Sequence, residues 1–267
     1  MRSNARNYYL IPYLAWIALF VVAPIALIVY YSFHDIEGGF TLDNYAKFFT
    51  PVYLKMALSS FWYALLITLF SLLVAYPTAL ILTRTKHKQL WLLLIILPSW
   101  VNLLLKAYAF IGLFGTYGLA NALLETIGIG RKQILFTDFS FVFVAVYIFI
   151  PFMILPIFNS LEEMNKSLIH AARDLGASAW TTFRRVIFPL TLGGVKAGCQ
   201  AVFIPALSLF MLTRLIAGNR VITLGTAIEQ HFLVTMDWGM GATIAVFLVI
   251  IMALIMVVTG QGRGSIR

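Results

Sequence analysis

Charge is scarce in this sequence. Of its 267 residues only 11% are Asp, Glu, Lys or Arg, whereas 61% are hydrophobic and the mean hydropathy is +0.93. A soluble domain carries about 25% charged and about 45–50% apolar residues, so this chain cannot cover a water-facing surface of its own size. The bilayer supplies the missing apolar solvent, and there only helices or closed barrels satisfy the backbone. Period-2 alternation is also missing, which excludes a membrane barrel and leaves helices. Cysteine is nearly absent. The single Cys199 lies in an apolar run, forms no intrachain disulfide, builds no cysteine zinc site and reads as a small buried hydrophobe. No G-x-x-x-x-G-K-[ST] sequence occurs, so a P-loop nucleotide site is excluded. No carboxylate pair, Ser/His/Asp set or metal-spaced cluster stands out, and His34, His87, His170 and His231 are scattered. The chain therefore reads as neither an enzyme nor a cofactor or metal binder. Pro/Ser-rich linkers and low-complexity segments are missing too, so residues 1–267 read as one transmembrane domain.

What is present is a series of long apolar runs. A spanning helix needs about 20 mostly apolar residues, and six stretches qualify: Leu10–Ser32, Leu58–Leu82, Leu90–Leu113, Phe139–Asn159, Val195–Ile216 and Gly239–Val258. The first exceeds the apolar core of a signal peptide, about 7–15 residues, and no small-residue cleavage pattern follows. The third contains Pro98 and Lys106, and the fifth contains Pro205. Thr41–Phe49 and Tyr117–Ile127 read as short helices lying at the outer face.

The net charge of +9 is distributed by side. One side takes the N-terminus, Arg84–Lys88, Glu162–Lys196 and the C-terminus, with 12 Lys and Arg. The other takes 6, namely Lys47, Lys55, Arg131, Lys132, Arg214 and Arg220, while Lys106 lies within a span. Seven of the 10 acidic residues fall on the less basic side. The positive-inside bias places both termini in the cytoplasm. The basic charge is thus topological, and nucleic acid drops out as a partner.

The longest connection on the basic side is 161–191, LEEMNKSLIHAARDLGASAWTTFRRVIFPLT. Asn165 can cap a helix starting at Lys166. Leu168, Ala171, Ala172 and Leu175 then share one face. Gly176 can end that helix in the left-handed conformation, Ser178 can cap a second one, and Pro189 stops it and fixes the re-entry into the membrane. The outcome is two short helices joined at a glycine hinge.

His170-Ala171-Ala172, Gly176 and Val186-Ile187-Phe188-Pro189 resemble the EAA motif of ABC importer permeases, E-A-A, three residues, G, nine residues, I-x-L-P. Three positions depart: His170 stands for Glu, Val186 for Ile and Phe188 for Leu. His170 removes a carboxylate, and with it any salt bridge the motif's Glu would carry. Further strings extend the similarity over essentially the whole chain: FTLDNY at 40–45, ILPSW at 96–100, KAYA at 106–109, RDLGAS at 173–178, PALSLF at 205–210 and DWGMGA at 237–242. These look like the spermidine/putrescine permeases of that family, the B-type subunit.

The resemblance implies an all-α, six-span type I importer permease. It also implies a cytoplasmic ATPase in two copies, a second C-type permease and an external polyamine-binding protein. His170, Ala171, Ala172, Asp174, Leu175, Gly176 and Pro189 would form the coupling element that docks on the ATPase. Polyamines are extended cations, so their pathway should offer carboxylates, carbonyl oxygens and aromatic faces. Trp100, Asn102 and Tyr108 on the outer half of the third span are candidates. So are Glu229, Asp237 and Trp238 at the outer entrance to the sixth. Lys106 would repel such a cargo, which leaves a structural ion pair or snorkelling for it; Arg214 shares the ambiguity. Two alternatives stand beside this reading: an ABC permease for an anion or amino acid, which would suit both cations, and an ion-coupled secondary carrier.

Overall fold

A computed structural model describes residues 2–218 and 220–260, with side chains from Leu10 onward. Arg263 and Arg267, counted above on the cytoplasmic side, lie outside them. The described chain is built of helices joined by irregular connections, its only β feature being an isolated bridge between His34 and Phe40. In order the helices are α1 (Arg2–Ile17), α2 (Ala23–Ser32), α3 (Asp43–Phe48), α4 (Pro51–Leu82) and α5 (Lys88–Ile96). Then come α6 (Leu103–Phe114), α7 (Leu119–Thr126), α8 (Asp138–Glu163), α9 (Ser167–Asp174) and α10 (Ala179–Thr182). The last are α11 (Phe188–Leu190), α12 (Leu192–Leu207), α13 (Met211–Leu215), α14 (Leu224–Leu233) and α15 (Trp238–Val258).

Four expected spans keep their places. A π-helical turn, Ala18–Val22, joins α1 to α2, so Leu10–Ser32 runs as one rod; α4, α8 and α15 are the other three. Prolines are tolerated inside them, Pro77 in α4 and both Pro151 and Pro156 in α8, because neighbouring helices and local adjustments absorb the freed carbonyls.

The other two expected spans are corrected. Leu90–Leu113 is not continuous. It closes in a 3-10 turn, Leu97–Trp100, turns extended at Val101 and restarts at Leu103. Pro98 has no N–H to give, Ser99 Oγ donates to the Ile96 carbonyl at 2.6 Å, and Asn102 Oδ1 accepts the Leu104 N–H at 2.8 Å. The Ser99 hydroxyl and the Asn102 side chain thus supply hydrogen bonds where Pro98 interrupts the helical ladder. By length and apolarity the membrane-long stretch here is Leu103–Thr126. Val195–Ile216 also breaks. α12 stops at Leu207, where the Ser208 N–H and Oγ both donate to the Pro205 carbonyl, and α13 is a separate turn. At about 1.5 Å per residue, the 16 residues of α12 reach about 24 Å, short of the ~30 Å hydrocarbon core. It is bent by 63° from the preceding segment, Ala179–Leu190. Among the described residues there are therefore five membrane-long helices, or six when this bent pair counts as one span.

The core lies where α4, α8 and α12 pack together, with Ile67, Phe141, Val144, Met153, Ile154 and Ile157 fully buried. The contact between α8 and α12 is close because α12 presents Gly194. A Cβ there would lie 2.6 Å from the Pro156 carbonyl and from Ser160 Cβ, the small-residue approach that membrane helices favour. On the far side α15 packs against α2 and α14. Gly239 makes that crossing possible, since a Cβ would meet the His34 carbonyl at 1.9 Å. Thr243 Oγ1 donates to the Ser32 carbonyl across it at 3.1 Å. None of the apolar window in Leu10–Ser32 is buried within the chain.

Candidate functional site

Two regions hold the candidate residues, one at each end of the bundle. At the end read as cytoplasmic, Asn165 Oδ1 accepts the Ser167 N–H at 3.0 Å and starts α9. The helix ends at Gly176, which has φ +81°. The Gly176 N–H donates to Arg173 and the Ala177 N–H to Ala172, at 2.8 and 3.0 Å. That paired pattern closes a helix with a left-handed glycine. Ser178 Oγ then accepts the Thr181 N–H at 3.2 Å and starts α10. His170, Ala171, Asp174 and Leu175 are exposed and Ala172 half-buried. Leu175 is 89% exposed and Leu168 44%, so Leu168, Ala171 and Leu175 of the apolar face read from the sequence are left uncovered by the described residues, Ala172 alone being partly covered. Ile169, one residue round the helix, packs against the core instead.

Pro189 departs from expectation. It does not stop the helical segment. The chain passes through a π-helical turn, Phe183–Ile187, into α11 with Pro189 in its first turn, and the bend falls after Leu190. A proline removes one donor and leaves the carbonyl four residues earlier without it; the wider turn accommodates this. Thr191 marks the bend. Its Oγ1 donates to the Ile187 carbonyl at 2.9 Å and pairs with Tyr76 Oη at 2.8 Å. The Tyr76 ring meets Phe183 edge-on at 5.7 Å, and Trp180 stacks on Phe183. An ion pair between Lys88 and Glu162 ties the start of α5 to the end of α8. Tyr76 and Thr191 went unnoticed in the sequence because neither belongs to a local pattern; 115 residues separate them.

At the outer end the two groups of pathway candidates stay apart. They share no hydrogen bond, ion pair or aromatic contact. Asn102 caps α6, while Trp100 and Tyr108 are 75% and 59% exposed on the bundle surface. Lys106 has no ion-pair partner among the described residues, which removes the ion-pair option within this chain. Glu229 does have one: its Oε1 accepts from Arg214 Nη1 at 2.7 Å, with Glu229 16% and Arg214 55% exposed. The pair sits in a cavity of about 340 Å³ with Met56, Thr226 and Gln230.

Asp237 caps α15, its Oδ1 accepting the Met240 N–H at 3.0 Å, and its other oxygen lies 3.9 Å from His231 Nδ1. His231 Nε2 pairs with Tyr53 Oη at 2.9 Å. Burial holds His231 below the ordinary histidine range, and the Asp237 carboxylate pushes back upward. Trp238 packs edge-on to Tyr31 at 5.6 Å and near Phe232. Of the three outer candidates on α14 and α15, then, Glu229 faces a cavity, whereas Asp237 and Trp238 hold the junction together.

Residues 52–261 match the family described as "Binding-protein-dependent transport system inner membrane component". The spermidine/putrescine transport system permease protein PotB of Escherichia coli (strain K12) is 38% identical over 253 residues, 91% of this chain and 92% of the relative. That of Salmonella typhimurium (strain SL1344) is 36% identical over 266 residues, 96% of this chain and 93% of the relative. That of Haemophilus influenzae (strain ATCC 51907 / DSM 11121 / KW20 / Rd) is 34% identical over 254 residues, covering 91% and 89%. Among solved structures, a chain of a bacterial ABC transporter involved in import of the acidic polysaccharide alginate superposes with a TM-score of 0.83. It is 15% identical and covers 97% of this chain and 94% of that one. Model match, relatives and fold agree: the chain belongs to the family of binding-protein-dependent transport system inner membrane components, multi-pass transport subunits rather than enzymes.

Proposed function

We propose that this chain is a B-type permease subunit of an ATP-driven importer and forms half of a translocation pathway for spermidine and putrescine. The observation that carries the cargo is similarity to spermidine/putrescine permeases at 34–38% identity over at least 91% of this chain. The remaining half of the pathway comes from a C-type permease, the cargo from an external polyamine-binding protein, and the energy from a cytoplasmic ATPase in two copies. Both termini face the cytoplasm, in keeping with the 12-to-6 bias of Lys and Arg.

Within this reading, 161–191 is the coupling element. Two capped helices joined at a left-handed glycine present an exposed apolar face, Leu168, Ala171 and Leu175, that a partner can cover. The 63° bend at Thr191, pinned by Tyr76, connects that element to α12 in the core. Displacement of the coupling helices is thereby passed to the bundle as a rigid-body movement. Glu229 at its cavity and the exposed rings of Trp100 and Tyr108 supply the acidic and aromatic surfaces a polyamine needs; Asn102, Asp237 and Trp238 support them. Of the two cations that would suit an anion importer, Arg214 is paired with Glu229, which leaves Lys106 alone without an ion-pair partner among the described residues.

The test is reconstitution of the permease pair with the ATPase and binding protein in vesicles. ATP-dependent accumulation of labelled spermidine and putrescine, absent without binding protein, is the expected result. ATP-dependent uptake of an amino acid or anion, with none of either polyamine, would overturn the cargo. Uptake driven by a proton or sodium gradient without ATP would overturn the class.

A further inference from the structure

The transport reading leaves unused a cavity on which four basic side chains converge. The last turn of α4, the end of α8 and the helix α9 enclose about 490 Å³. Arg84, Lys166, His170 and Arg173 line this space, with Leu161 and Ile187 among its apolar walls. Lys166, His170 and Arg173 recur at i, i+4 and i+7 and so share one face of α9. Leu168, Ala171 and Leu175 fall on the opposite face, since each residue turns the helix by about 100°. The helix can therefore give its apolar face to a partner while its basic side chains, exposed to solvent, border the cavity on the other face.

None of the four basic side chains belongs to any ion pair among the described residues. No carboxylate lines the cavity, because the position that holds Glu in the EAA motif is His170 here. The carboxyl ends of α4 and α8 bring about half a negative charge each. Arg84, Lys166 and Arg173 nonetheless outnumber them with three permanent positive charges. The cavity lies by the ends of α4 and α8, its wall is part apolar, and on the orientation proposed above, on which this inference rests, that end faces the cytoplasm. A basic, partly apolar pocket between membrane helices on the cytoplasmic side fits a phosphate-bearing lipid headgroup.

We propose that this cavity binds the headgroup of an anionic phospholipid beneath α9. The test is native mass spectrometry of the assembled importer, released from bilayers containing phosphatidylglycerol and phosphatidylcholine in equal parts. The wild type should retain phosphatidylglycerol preferentially. Arg84→Gln with Arg173→Gln should lower that preference by about 30-fold. His170→Glu tests the same site in a chain that keeps the family's motif, and should lower it by about five-fold. Arg84→Lys with Arg173→Lys should keep it. Equal preference in the wild type and the charge-removing variants would overturn the proposal. So would displacement of the lipid by millimolar inorganic phosphate, which would assign the cavity to a free anion. Lipid retained only after the ATPase is stripped away would assign it to the ATPase.

Discussion

Gly176 offers a test in which backbone conformation can be separated from packing. Its φ is +81° and nothing lies within 4 Å of the position a Cβ would take. A side chain there meets open space within this chain, so the penalty that arises inside the chain comes from the left-handed backbone. For an ordinary L-residue that costs about 1–2 kcal/mol; asparagine tolerates the conformation, and a β-branched residue is a strong outlier in it. Gly176→Asn should therefore stay near wild type. Gly176→Ala should reduce the population of the hinged α9–α10 arrangement about 5- to 30-fold, at 1.4 kcal/mol per decade. Gly176→Val should reduce it further. The assay is binding-protein-stimulated ATP hydrolysis by a fixed amount of assembled complex in vesicles, with polyamine uptake alongside. Stimulated activity should fall in the order Gly, Asn, Ala, Val while basal hydrolysis by the ATPase persists. A valine variant coupled like the wild type, or an asparagine variant as poor as valine, would refute the hinge.

Three further outcomes follow from the outer face and the topology. In a Cys199→Ser background, Glu37→Cys should react with an impermeant thiol reagent from outside and Lys86→Cys only from inside; reversed labelling would invert the orientation. Glu229→Gln leaves Arg214 without its partner, and because such half-exposed pairs contribute at most about 1 kcal/mol uptake should fall about two- to five-fold, more for spermidine than for the less charged putrescine. Adding Arg214→Gln should recover much of that loss, Asp237→Asn should change little because Asn caps a helix as well as Asp does, and equal uptake by all of them would remove Glu229 from the pathway. Burial depresses His231 below its usual value near 6.5, so the folded protein binds fewer protons there than the unfolded chain. Stability should be fully present above about pH 6.5 and decline as the pH falls toward the depressed value, measured as thermal denaturation in detergent, and His231→Gln should flatten that decline.

Four of the six spans were legible because α1–α2, α4, α8 and α15 are long apolar runs whose length alone decides them. The two broken ones were not. Pro98 was visible, but Pro77, Pro151 and Pro156 sit within helices that continue, so proline by itself does not locate a break. What ends α5 is the combination of Pro98 with Ser99 and Asn102, each offering the backbone another hydrogen bond. The caps of α9 and α10 were readable because the signals lie within three residues of what they satisfy. The Arg214–Glu229 pair and the Tyr53–His231 contact were not, since irregular chain or most of the sequence intervenes. The same distance hid the division of labour at the outer entrance, where Asp237 looks like a pathway carboxylate until its helix cap is seen.

The crossing of α2 with α15 has a consequence for synthesis. The hydrogen bond from Thr243 to the Ser32 carbonyl joins residues 211 positions apart, and α15 is the main packing partner of α2. At about 5–20 residues per second, roughly 10–40 s pass between the emergence of the first span and that of its partner. Through that interval α2 has only near neighbours such as Tyr45, which pairs with Ser32 at 2.7 Å, and most of its packing within the chain waits for the last span to arrive.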